Sequence, residues 1–185
     1  MTPPPATSEE DMPKKLTTGQ MVALGGGVLM FIALFLPWFT QRISQPEYGV
    51  AFSNSGNAFD FTLGWLGSLL VLGAAVLIAL KAFANLKSGA GALKLEHFAL
   101  VLAGVGTLLI LIKLIIGAGP SPEEALVLGP YYGVSRGAGV FIALIAGLAV
   151  SAGSYLVMKE GGLGLGAFKT LGGSAAPPPP PPPSE

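Results

Sequence analysis

The stretch Gln20-Met21-Val22-Ala23-Leu24-Gly25-Gly26-Gly27-Val28-Leu29-Met30-Phe31-Ile32-Ala33-Leu34-Phe35-Leu36-Pro37-Trp38-Phe39 carries no charged residue. As a helix rising about 1.5 Å per residue it is long enough to cross a hydrocarbon core of roughly 30 Å. Lys14 and Lys15 precede it, so a secretory signal peptide is the competing reading. Such a peptide has an apolar region of about 7–15 residues ending at small residues. This run is longer and ends in Leu36-Pro37-Trp38-Phe39, which favours a retained signal anchor.

Three more runs repeat the pattern. Apolar residues dominate 61–80, 97–116 and 137–158, which with 20–39 predict four spans inside a transmembrane region covering 20–158. Of the 185 residues, 51% are hydrophobic and 11% charged, against about 25% charged in a soluble domain. An exterior facing lipid accounts for that deficit better than an oversized core. The expected fold is therefore an all-α membrane protein, a four-helix transmembrane bundle with disordered N- and C-terminal tails.

The tails are predicted from composition. Residues 1–19 mix prolines with Glu9, Glu10, Asp11, Lys14 and Lys15, too polar to offset the entropy of ordering. Residues 159–185 are glycine-rich and then hold the unbroken run Pro177 to Pro183, a polyproline II segment. That run could spacer-like hold the tail extended or dock into an aromatic groove of a cytoplasmic partner. Between the spans, the polar turn formers of Gln41 to Asp60 predict an outer loop, and Gly117 to Arg136 a second one. Within the second, Ser121-Pro122-Glu123-Glu124 has the cap, proline and acids of a helix start, predicting a short surface helix to Leu128.

Basic residues give the direction. Lys14, Lys15, Lys81, Lys87, Lys94, Lys159 and Lys169 fall on one side of the predicted spans, Arg42 and Arg136 on the other. The positive side is cytoplasmic, so both termini are expected in the cytoplasm. Trp38, Phe39, Trp65, Tyr131 and Tyr132 would then form an aromatic belt at the outer interface.

Helices pack in lipid where small residues let backbones approach. Gly139, Ala143, Gly147 and Ser151 recur every four residues along the fourth span, with Ala99, Ala103 and Thr107 on the third and Gly64 and Ser68 on the second. The Gly139 stripe is expected to hold the bundle together; its other reading is a seam to a second copy or another membrane protein.

Candidate chemistry is sparse. Lys113 is the one charge well inside a span, about four residues from its outer end, where a lysine stem reaches the interface. No acid lies in any span to pair with it, so snorkelling or a structural contact is expected rather than transport. His97 is the only histidine and there is no cysteine, which leaves neither a conventional metal site nor a nucleophile and base pair. Asp60 and Ser135 suit N-caps of the second and fourth spans. Gly162 to Gly166 before Lys169-Thr170 lacks the glycine directly before lysine, and the strand, that a phosphate loop needs. Gly25-Gly26-Gly27 reads as close packing or local flexibility. No catalytic, cofactor or metal residues are assigned and no enzyme activity is expected. The balance of 10 basic and 10 acidic residues gives no overall field for nucleic acid.

Phe35-Leu36-Pro37-Trp38-Phe39 and, more loosely, Gly137-Ala138-Gly139-Val140-Phe141-Ile142-Ala143-Leu144 resemble small four-span membrane proteins of actinobacteria. In these the first helix ends in Leu-Pro-Trp-aromatic and the last is rich in glycine and alanine. The resemblance implies a bacterial plasma membrane and supplies no catalytic residues. The functional expectation is a membrane scaffold or interaction subunit, with a small-solute transporter or channel subunit as the alternative.

Overall fold

A computed structural model describes residues 15–84, 94–120, 126 and 129–163. Four helices are long and apolar enough to cross a membrane: α1 (Thr18–Phe35), α2 (Thr62–Phe83), α3 (Leu95–Ile116) and α4 (Ala138–Glu160). They pack in a ring in chain order, with α4 closing back on α1. The predicted surface helix lies outside the described residues save Leu126, which is helical. The proline run, the segment Gly164 to Gly166 with Lys169-Thr170, and most of both predicted tails also lie outside them.

Helix ends follow local chemistry. Thr17 and Gln20 form a reciprocal capping box, with Thr17 Oγ1 accepting the Gln20 N–H at 3.3 Å and Gln20 Oε1 the Thr17 N–H at 3.0 Å. The helix thus starts at Thr18, inside the segment expected to be a disordered tail. Its other end comes at Phe35, four residues before the end of the predicted span, because Pro37 has no N–H to continue the ladder.

The fold is not all-α. Both expected outer loops contribute strands to an antiparallel sheet of order β2-β1-β3: β1 (Phe39–Gln45), β2 (Val50–Gly56) and β3 (Tyr132–Arg136). β1 and β2 form a hairpin whose turn, the 3-10 segment Pro46–Tyr48, ends at Gly49 with φ +63°, a conformation glycine adopts without steric cost. Register pairs Ile43 with both Phe52 and Tyr132, and Gln41 with both Asn54 and Val134. Since side chains alternate along a strand, Phe39, Ile43, Phe52, Tyr132 and Val134 share one face. Gln41, Asn54 and Gly56 interrupt that face, so the sequence shows no sustained apolar period of two.

The bundle interior is made of small residues. A Cβ at Gly67 would stand 2.8 Å from the Gly106 carbonyl oxygen, and one at Gly106 2.6 Å from that of Gly67, so α2 and α3 touch backbone to backbone. Gly153 allows the same between α4 and Ala23 of α1, where a Cβ would lie 2.5 Å from the Ala23 nitrogen. Gly26 fits against Val150 of α4 and Gly27 against Ala75 of α2, while Gly25 faces open space. The glycine triplet is thus mainly a packing device. Gly139, Ala143 and Gly147 are buried within the chain, and a Cβ at Gly147 would come within 2.6 Å of Thr107 Oγ1. Ser151 is half-buried, its hydroxyl 3.3 Å from that of Thr107. The stripe therefore joins α4 to α3 and to the chain after α1.

Candidate functional site

The residues with chemistry to offer gather where the sheet meets the bundle. Leu36-Pro37-Trp38-Phe39 is the hub. Pro37 cannot give the N–H that would meet the Ala33 carbonyl one turn back, and the Trp38 indole Nε1–H donates to that carbonyl instead at 2.8 Å. The indole is fully buried. It fits because two neighbours lack side chains: a Cβ would lie 3.0 Å from the indole at Gly64 and 2.6 Å at Gly139. Main-chain bonds fix the segment further: Trp38 N–H donates to the Gly56 carbonyl (2.8 Å), Gly137 N–H to that of Trp38 (2.7 Å) and Gly139 N–H to that of Pro37 (2.9 Å).

Trp38 and Phe39 are thus core residues and not part of an interfacial belt; both are 0% exposed. Trp65 and Tyr131 keep partial exposure, as a belt would require. The cap assignments also change. Phe61 occupies the N-cap of α2 and Gly137 that of α4, neither with a side-chain bond. Asp60 Oδ2 instead accepts the Asn57 N–H at 2.7 Å across a 3-10 turn, and Ser135 lies in β3 with its hydroxyl 3.4 Å from the Thr40 carbonyl.

The sheet end also satisfies the last carbonyls of α3, which have no partner within the helix. Gly117, at φ +76°, turns the chain so that its N–H reaches the Lys113 carbonyl at 2.9 Å. Lys113 Nζ donates to the Gly117 carbonyl at 2.6 Å, and Arg136 Nε to that of Leu114 at 3.1 Å. The Ala118 carbonyl accepts from Tyr132 Oη at 3.3 Å and Gln41 Nε2 at 3.4 Å. Positive side chains at this terminus complement the helix dipole.

Lys113 is held at a particular place. Its Nζ sits 4.5 Å from the centroid of the Phe61 ring and 5.4 Å from that of Phe39, and those rings meet edge to face at 5.1 Å. An ammonium over aromatic faces is electrostatically attracted to them. The one charge inside a predicted span thus has a structural contact at the sheet end. Sequence reasoning found Lys113 but not its aromatic partners, since neither ring lies on its own helix.

At the opposite end of the bundle, Lys81 of α2 forms an ion pair with Glu96 in the first turn of α3. Glu96 is buried, and its Oε2 has no hydrogen-bond partner among the described residues. His97 is buried beside it, with Nδ1 accepting the Lys94 N–H at 3.4 Å. Glu160 Oε1 accepts the Gly19 N–H at 3.2 Å, tying α4 to α1. Among the described residues no three His, Cys, Asp or Glu side chains come together as a metal-ion site would require.

Between the two ends the buried hydroxyls turn to their own helices: Ser68 to the Gly64 carbonyl, Thr107 to that of Ala103 and Ser154 to that of Val150, each at 2.7–2.8 Å. What the arrangement offers is a junction in which main-chain carbonyls are met by the side chains of Trp38, Lys113 and Arg136. In comparisons with known proteins, no family model matches the chain and no curated protein is similar to it.

Proposed function

We propose that the protein is a multi-pass integral membrane protein serving as a non-enzymatic scaffold or interaction subunit, with the sheet outside and both termini in the cytoplasm. One observation carries the membrane part: the polarity of the bundle is inverted. Its exterior displays Phe31, Ile32, Val76, Val105, Leu108, Ile115 and Ile145, with Phe31 57%, Ile115 68% and Ile145 60% exposed. Its helix contacts are rich in glycine, alanine, serine and threonine, with a few larger apolar side chains such as Met30 and Ile110 among them. A water-soluble bundle buries its large apolar side chains, and contiguous exposed apolar faces of this extent are foreign to soluble monomers. In lipid the arrangement is favourable, since close packing through small residues is what joins helices there.

The interaction role is supported by the hairpin. Tyr48 and Phe52 stand 77% and 73% exposed on a strand pair anchored in the bundle through Trp38. Aromatic side chains on a rigid support make effective contact surfaces. The bacterial plasma membrane in this reading rests on the Leu-Pro-Trp-aromatic resemblance, and its orientation on the lysine distribution. A transporter or channel subunit would need a polar path along the bundle. Met30, Val71, Ile110 and Val140, all fully buried, occupy the interior instead.

The chain contains no cysteine, so single cysteines report unambiguously. A membrane-impermeant maleimide is expected to label Ser44→Cys in intact cells and Lys159→Cys only after permeabilisation. The reverse pattern would defeat the orientation, and extraction of the protein by alkaline carbonate would defeat membrane insertion. For the interaction role, proteins co-purified from native membranes with wild type are expected to be lost with the double variant Tyr48→Ala, Phe52→Ala. An unchanged set would count against the hairpin as the contact surface.

A further inference from the structure

A pocket of about 310 Å³ opens beside the aromatic junction, on the sheet face that carries Phe39. It is lined by Phe39, Gln41, Asn54, Gly56, Asp60 and Phe61. Its size falls at the lower end of the range for small-molecule sites, roughly 300–1,000 Å³. The hairpin register explains the lining: Phe39 stands opposite Gly56 and Gln41 opposite Asn54, so two carboxamides lie side by side, with the half-buried Phe61 ring beside them. Gly56 lets the other wall approach. A Cβ there would press on Asp60 Oδ2 at 3.0 Å and on the Phe61 ring at 3.1 Å.

The polar groups are only partly engaged. Asp60 uses Oδ2 for the Asn57 N–H and so is held in place, leaving Oδ1 without a partner among the described residues. Gln41 donates through Nε2 to the Ala118 carbonyl, which leaves its oxygen as an acceptor. The Asn54 carboxamide makes no hydrogen bond among the described residues. The cavity thus offers acceptors at Asp60 and Gln41 and both a donor and an acceptor at Asn54. The Asp60 carboxylate stands in the wall, and the Lys113 ammonium lies against the Phe39 and Phe61 rings. An anion is repelled by the first and a cation by the second, so a single net charge on the ligand is not selected.

We propose that this pocket binds a neutral polyhydroxylated ligand, a single sugar residue either free or at the end of a glycan. Adjacent hydroxyls match carboxamides and a carboxylate, since each hydroxyl both donates and accepts. The C–H face of the sugar lies against the half-buried Phe61 ring, whose face carries partial negative charge. This goes beyond the scaffold reading and holds whichever side of the membrane the sheet faces. If Ser44→Cys labels from the unexpected side the orientation fails while the pocket is untouched.

The test is saturation-transfer difference NMR on the full chain in lipid nanodiscs, with glucose, galactose, mannose, N-acetylglucosamine and arabinose as probes, each also as its methyl glycoside. At least one sugar is expected to receive saturation on its ring C–H protons. Asn54→Ala and Asp60→Asn are each expected to weaken binding roughly tenfold, as loss of a hydrogen-bonding partner in a specific site does. Retained binding of the methyl glycoside identifies a glycan end, and its loss a free sugar. Asn54 is exposed, so that variant tests the pocket even if Asp60→Asn disturbs the turn. Transfer to none of the sugars, transfer unchanged in Asn54→Ala, or Asp60-dependent binding of tetramethylammonium in place of the sugars would overturn the proposal.

Discussion

The two ends of the bundle are joined by different physics. At the sheet end the helices are tied by main-chain hydrogen bonds, a buried indole and aromatic rings, and the carbonyls that end α3 are met by Lys113, Arg136, Tyr132 and Gln41. At the opposite end the polar ties among the described residues are one ion pair between α2 and α3 and one carboxylate between α4 and α1, the latter beside the close packing of Gly19 against Val157. The first kind of closure distributes its energy over packing and many short bonds. The second concentrates it in charges whose desolvation offsets much of their attraction. The sheet end should therefore be the stiffer platform, and the other end the more sensitive to losing a single partner.

The largest effect is expected from Trp38→Ala. Removing a fully buried large aromatic side chain costs about 3–5 kcal/mol, and here the Ala33 carbonyl also loses its donor. Thermal unfolding in detergent, followed by the remaining Trp65, should show the drop. Trp38→Phe should recover part of the packing without restoring the bond. If Trp38→Ala leaves stability unchanged, the indole is not the hub of the junction.

How far this was visible beforehand differs between the same two regions. Four apolar runs without acids reveal four helices because lipid-facing sequence is uniform on every side, and the small-residue spacing of Gly139, Ala143 and Gly147 locates a packing face. The sheet was hidden. Its strands are mostly Ser, Thr, Asn, Gln and Gly, so neither face repeats an apolar residue often enough to set a period, and Phe39 was absorbed into the preceding span. The junction was hidden for another reason. The Trp38 indole answers a defect created by Pro37, and that answer depends on Gly64 and Gly139, far away in sequence, being empty. Gly67 and Gly106, which bring α2 and α3 into backbone contact, have no small residue four positions away on their own helices. Only the partner helix makes each of them necessary.

At the ion-pair end, Lys81→Ala leaves the buried Glu96 carboxylate uncompensated, and a loss of about 1–3 kcal/mol is expected. The double variant Lys81→Met, Glu96→Leu should be closer to wild type than Lys81→Ala is, because removing both charges also removes the desolvation penalty. A double variant as unstable as the single one would mean the pair contributes more than its charges. Arg136→Ala should cost less, about 0.3–1 kcal/mol, since its guanidinium is exposed and the Leu114 carbonyl can turn to water. That difference is readable as a small shift of the same unfolding curve.

The smallest expected quantity is the coupling between the ends. Trp38 packs on Gly64, and Lys81 lies 17 residues further along the same helix, about 25 Å at 1.5 Å per residue. Changes more than about 7–10 Å apart with no shared partner usually add to within about 0.3–0.5 kcal/mol. If each end is closed by its own contacts, the combined variant Trp38→Ala, Lys81→Ala should lose the sum of the single losses within that margin. Lys81→Met in place of Lys81→Ala keeps the cycle measurable should the combined variant fail to fold. The Gly67 and Gly106 contact, one turn from Gly64 on α2, is a feature able to defeat this expectation. Backbones in direct contact cannot absorb a shift as flexible side chains do, so a tilt begun at one end would be carried to the other. A coupling above about 1 kcal/mol would therefore mean that α2 and α3 move as one rigid pair, and that the two ends are a single device rather than two.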